Sequence, residues 1–147
     1  MKTGSFTYHI SARCPRQRAR QLLSEFSQHS RLHPLIEKVE QAAPPPGVVR
    51  RYWITDRLKW GFFNFQVRYR ADILSVSDEE IVTEARQEPG TTVRNRTLLR
   101  EAEGKTEIEV QIQLSAPDPL FGYAFSQAQT AHLEMAKRIQ QALEEPA

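Results

Sequence analysis

The chain has 147 residues, with 20 basic and 18 acidic side chains, 39% hydrophobic and 26% charged residues, and a formal net charge of +2. These values fit one globular domain and exclude a disordered chain; metal or disulfide crosslinks are not required, because a chain of this size buries about 68–70% of its unfolded surface. Cys14 is the single cysteine, so no intrachain disulfide forms, no stretch reaches the roughly 18 apolar residues of a membrane span, and the N-terminus lacks the apolar run of a signal peptide, making the cytoplasm the expected location.

Phe6, Tyr8 and Ile10 alternate with polar neighbours, which predicts a first strand. Pro15 suits a first helical turn, where its missing N–H costs nothing, and Ala19, Leu22, Leu23 and Phe26 recur at helical spacing, so an amphipathic helix is predicted over residues 15–26. Residues 27–34 are polar, and Pro34 biases His33 away from helical angles, so they read as a loop or a single turn. A short second strand is expected over residues 35–41, and the proline run in 42–47 must be a connection.

From residue 48 the β signal is continuous, with strands expected at 48–55, 60–73, 80–87, 92–100 and 106–115. The breaks at 56–59, 75–78, 88–90 and 103–104 are polar or contain glycine, as hairpin connections do. Ile108, Val110, Ile112 and Leu114 form the dry face of the last strand, and the same parity turns Val93, Asn95, Thr97 and Leu99 inward. Phe63, Phe65, Val67, Tyr69, Ala71 and Ile73 likewise share a face, while either Tyr52 or Trp53 must face in. Asp118 is a natural N-cap and Pro119 a natural first residue for a closing helix that extends to about residue 143, with Phe121, Phe125, Ala128, His132, Met135 and Ile139 along one side. The fold class is therefore α+β, a single domain over residues 1–147 with helices on one face of an antiparallel sheet of about 6–7 strands.

That order of elements, with the stretch from His29 through Pro34 to Ile36 after the first helix and the long closing helix, resembles the Bet v 1-like superfamily over residues 5–143. START lipid-transfer domains, polyketide cyclases and dehydratases, and coenzyme Q-binding proteins belong to it. The resemblance implies a helix-grip fold, a curved sheet wrapped around the C-terminal helix, with a cavity between them that in many members holds a hydrophobic ligand. It leaves the reaction open, since fold does not imply function.

Residues on the inward faces supply the candidate ligand-binding set: Trp53, Phe63, Phe65, Tyr69, Asn95, Thr97, Phe125 and His132. Asn95 and Thr97 are polar groups on a dry face, and each needs a partner, which a ligand, a water or a neighbouring side chain would supply. Tyr69 joins an apolar body to a phenol tip that could orient a ligand carbonyl or hydroxyl, and Thr83 is a weaker case of the same kind. His132, on the apolar stripe of the helix, is either a satisfied pocket histidine or a general base.

His29 and His33 are four residues apart, yet Pro34 follows and no metalloprotease glutamate lies between them, so no metal site is expected and His33 reads as a rim residue. Cys14, between Arg13 and Arg16 at a helix start, sits where positive charge favours a thiolate, but no partner residue accompanies it. Of the 20 basic residues 15 are arginine, interspersed with Asp and Glu, which reads as a solvated surface. Trp53 and Trp60 would suit base stacking, but without a recognition signature nucleic acid is disfavoured.

The leading expectation is binding of a hydrophobic small molecule, with no cofactor. A lipid, a quinone or a polyketide-like compound is what the resemblance suggests. The alternatives are a cyclase- or dehydratase-like enzyme in which His132 or Tyr69 handles protons, and an interaction module that uses the arginine-rich surface.

Overall fold

The computed structural model describes residues 1–60 and 62–145, apart from the side chains of Gln28 and Trp60. The stacking role read for Trp60 therefore lies outside the described residues. In chain order the elements are β1 (Lys2–Ala12), α1 (Arg16–Ser24), a 3-10 helix (Phe26–Arg31), β2 (Ile36–Ala42), β3 (Arg50–Trp60), β4 (Phe63–Val76), β5 (Glu80–Gln87), β6 (Thr91–Ala102), β7 (Lys105–Ala116) and α2 (Asp118–Glu144). All strands pair antiparallel in one 7-stranded sheet of order β1-β7-β6-β5-β4-β3-β2. The two strands flanking α1 in sequence thus occupy opposite edges, and α1 with the 3-10 helix bridges them.

Several expected boundaries move: the first helix ends at Ser24, with Phe26 opening the 3-10 helix where a loop or turn was expected, and β4 runs to Val76. The break expected at 56–59 does not occur, because Ile54, Asp56 and Leu58 continue one alternating face and pair across to Tyr69, Val67 and Phe65. Asp118 is not the N-cap of α2: Pro117 holds that position and Asp118 lies in the first turn, where its charge complements the helix dipole. The β6–β7 turn is as read from the sequence. Glu103 and Gly104 both take positive φ, 54° and 79°, the geometry that lets a two-residue connection follow the strands' twist.

Alternation decides the core. Tyr8, Ile10 and Ala12 of β1 and Ile108, Val110, Ile112 and Leu114 of β7 are buried on the inner face. All but Leu114 meet Met135, Ile139 and Leu143 of α2 and Leu23 of α1 in one apolar cluster. A second cluster gathers Ile36, Tyr52, Ile54, Ala71 and Ile73 at the other end of the sheet.

Helix α2 lies along β1, with further backbone contact to β7 and α1. Gly4 makes that approach possible. A Cβ there would stand 2.8 Å from Phe121 Cζ and 2.9 Å from Phe125 Cε2, so these rings rest directly on the β1 backbone. Phe125 also packs edge-on against Phe6 at 5.6 Å and stacks on Phe121 at 5.3 Å.

Replacing Gly4 by valine puts a branched side chain where the rings sit, and should cost about 1–3 kcal/mol, as overpacking does. Urea denaturation checks this: the midpoint should fall with an unchanged slope, and a wild-type midpoint would show that the rings swing aside freely.

Candidate functional site

Because α2 is held near β1, and because strands in a sheet rotate relative to their neighbours, β3 to β5 diverge from the helix. The gap is a cavity of about 420 Å³ lined by residues of both apolar clusters. Its wall is mainly aliphatic and aromatic: Leu58, Phe65 and Val67 on the β3–β4 side, Ile81 and Val93 on the floor, Met135 under α2. Small residues, Ala71 and Ala85 on the sheet and Ala124, Ala128 and Ala131 on the helix, keep the space open.

Of the residues expected to bind ligand, Phe65, Tyr69, Asn95, Thr97 and His132 are brought together on this wall. Trp53, Phe63 and Phe125 are not. Inward parity on β3 belongs to Tyr52, which is 1% exposed, so Trp53 faces out beneath the Arg68 guanidinium at 4.4 Å. Phe63 has the right parity, but residues 63–69 of β4 pair only with β3, and at the end of this two-stranded arm Phe63 is 75% exposed. Phe125 is diverted onto β1 by the seat that Gly4 leaves.

Several polar groups on the wall come in pairs. Thr97 Oγ1 donates to Asn95 Oδ1 at 2.8 Å, so each supplies the partner the other needs. Tyr8 O–H and His132 Nδ1 are hydrogen-bonded at 2.9 Å, and His33 stands edge-on to His132 at 5.5 Å. His33 is thus drawn into the wall instead of standing at a solvent rim, while its Nδ1 accepts from the Leu35 N–H at 3.2 Å. His29 is bonded to the Leu22 carbonyl at 3.0 Å. Burial pushes the pKa of His29 and His132 down to about 4 and of His33 to about 3, so all three imidazoles are neutral at pH 7. Among the described residues no cluster of three or more His, Cys, Asp or Glu side chains could hold a metal ion.

The remaining pair was missed in the sequence. Asp56 is 8% exposed on the cavity wall and accepts a hydrogen bond from the Tyr69 hydroxyl at 3.2 Å. Burial raises its pKa to about 6, and the same burial holds the Tyr69 phenol well above its ordinary value. The signal was present, since Asp56 continues the alternation of Ile54 and Leu58, but the run Asp56-Arg57 reads equally as a polar turn. Tyr8 was placed on an inner face without a role.

Outside the cavity, charge is matched locally. Arg51 binds Asp72 through two hydrogen bonds of 2.8 and 2.9 Å, Arg57 binds Glu37, and Arg96 binds Glu80. Cys14 is buried, and burial raises its pKa, opposite to the thiolate-favouring setting expected from its arginine neighbours. No described helix is long and apolar enough to cross a membrane.

No protein-family model matches the chain, and no curated protein matches it in sequence. Solved structures do. The di-domain ARO/CYC BexL from the BE-7585A biosynthetic pathway superposes with a TM-score of 0.75 at 14% identity, over 99% of this chain and 51% of that one, so the chain spans about half the length of that protein. A START superfamily protein from Mycobacterium smegmatis gives 0.74 at 12% identity over 95% of this chain and 96% of its own. The Zhui aromatase/cyclase from Streptomyces sp. R1128 gives 0.68 at 10% identity over 97% and 94%. Likeness at such identities establishes the fold and leaves the chemistry to the side chains.

The buried groups predict opposite responses to pH. The unfolded chain protonates its histidines near 6.5 while the folded one resists until about 4, so their contribution lowers stability as pH falls through that window. Asp56 acts in reverse: its folded carboxyl takes a proton near 6, before the unfolded one at 3.8, so its penalty is complete above pH 6 and fades below. Asp56→Asn should therefore raise stability by on the order of 1–3 kcal/mol at pH 8 and by roughly a third of that at pH 4.5. Thermal unfolding at both pH values is the check, and a variant equally stabilised at both would sink the assignment.

Proposed function

We propose that this chain, which has the Bet v 1-like/START helix-grip fold, binds a hydrophobic small molecule in the cavity between its sheet and α2. The observation that carries the reading is the composition of the wall. A mostly apolar surface interrupted by a few fixed polar groups, around a volume within the roughly 300–1,000 Å³ typical of ligand sites, is what a small-molecule pocket requires. A packed core would not leave such a space, because protein interiors fill to crystal-like density. Phe65 and Val67 would grip the apolar body, and Tyr69, Asn95, Thr97 and His132 would meet its polar atoms. Lipids, quinones and polyketide-like compounds all fit that description.

Native mass spectrometry of freshly purified protein tests this. A reproducible adduct of a few hundred daltons is expected, and it should disappear in Ala128→Trp, whose indole would occupy the space beside Ala128 on the cavity wall. A bare chain in the wild type, together with no uptake of added apolar compounds, would overturn the reading.

A second reading is favoured by the hydrogen-bonded pairs on the wall. Tyr8–His132 and Asp56–Tyr69 each place a donor beside an acceptor within 3.2 Å, the arrangement proton transfer in a cyclase or dehydratase needs. His132 would be the base and Tyr69 a positioned donor. In an enzyme His132→Ala abolishes turnover of a polyketide-like substrate, whereas in a binding protein it only trims affinity, and single-turnover assays beside binding titrations separate the two.

A further inference from the structure

We propose that Asp56 is the recognition point for a basic nitrogen, and that the molecule held in the cavity is an apolar amine in its protonated form. The inference rests on the cavity-binding reading above and specifies the chemistry of its ligand.

Asp56 points inward from the middle of β3, between Ile54 and Leu58 and opposite Val67, on a wall that is otherwise mainly hydrocarbon. Among the described residues its carboxylate meets one hydrogen-bond donor, the Tyr69 hydroxyl, at a long 3.2 Å. An ionised carboxylate offers about four acceptor sites, so most of its capacity faces the cavity unused.

Among the described residues no cation stands opposite. Ile36 of β2 pairs against Asp56, and Val67 and Tyr69 of β4 flank it on the other side. The basic groups on the cavity wall are His29, His33, His132 and Arg86. Burial keeps the histidines neutral, and the register pairs Arg86 with Arg70 and Thr92 on the outer face. Arg57, next along β3, faces out and is bound through two nitrogens to Glu37, while Arg138 of α2 pairs with Glu134.

A buried carboxylate with no counter-charge is costly, which is why the pKa of Asp56 moves up; even so, at about 6 the group is ionised at neutral pH. A ligand ammonium would supply the missing charge through a charge-assisted hydrogen bond. A ligand carboxylate would be repelled there. A hydroxyl would gain only an ordinary hydrogen bond.

The test compares 1-naphthylmethylamine, 1-naphthylmethanol and 1-naphthoate, one apolar body with three charges, by calorimetric titration at pH 8 and pH 5. The amine should bind about tenfold or more tightly than the alcohol at pH 8, with the carboxylate weakest. That preference should shrink at pH 5, where Asp56 takes its proton while the histidines remain neutral and the amine remains charged. In Asp56→Asn the amine should fall to the affinity of the alcohol measured in the same variant. Equal affinities for amine and alcohol at pH 8, or a preference that survives in Asp56→Asn, overturn this inference and leave the cavity reading standing. Binding of none of the three, with a bare chain by mass spectrometry, overturns both.

Discussion

The contact on which the site depends is the seat that Gly4 provides for Phe121 and Phe125. It pins the first half of α2 against an edge strand, while Met135, Ile139 and Leu143 anchor the second half in the core over β1 and β7. A helix fixed to one edge of a twisted sheet stands off the far strands, and it reaches β3 by a long side chain, the Tyr123 hydroxyl donating to the Lys59 carbonyl at 3.1 Å. The separation over β3 to β5 is therefore a geometric consequence of where the rings are seated, and the alanines facing the gap leave it unfilled.

Burial is the common agent behind the behaviour of the polar groups inside. It strips the protons from His29, His33 and His132 and pushes one towards Asp56, in each case because the charged form loses its hydration. The result is a cavity with neutral imidazoles on one side and the buried carboxylate of Asp56 on β3. Such an interior has a definite electrostatic sense even though its surface is mostly hydrocarbon. That polarity, more than the volume, is what would distinguish one apolar ligand from another.

The exterior follows a different rule. Arginines dominate the basic residues, but several on the outer sheet face are set beside carboxylates on the same or a neighbouring strand, as with Arg70 and Arg51 around Asp72. Pairing of this kind spreads the charge over the sheet in place of a one-sided basic stripe, and lets Trp53 serve as a platform for Arg68. Of the arginines considered for an interaction surface, Arg51, Arg57, Arg70 and Arg96 on the sheet are paired with carboxylates.

Element order, the antiparallel meander and the inward faces of β1, β6 and β7 were determined by the sequence alone, because period-2 alternation against a single buried face leaves one register that keeps apolar side chains dry. The same parity placed Phe65, Tyr69, Asn95 and Thr97 on the inner face. Tertiary structure decided the rest. Alternation cannot show how far a strand pair projects past its neighbours, which is why Phe63 ends in solvent. Nor does it choose between Tyr52 and Trp53, or tell a polar residue in a turn from one inside a strand, which is why Asp56 was passed over. Helical spacing gave Phe125 and His132 the same side of α2, and only the empty volume above Gly4 sent one ring onto β1 and left the other on the cavity wall. Local pattern specifies which way a side chain faces. What it meets there depends on elements far away in the chain, and that is settled only when they pack.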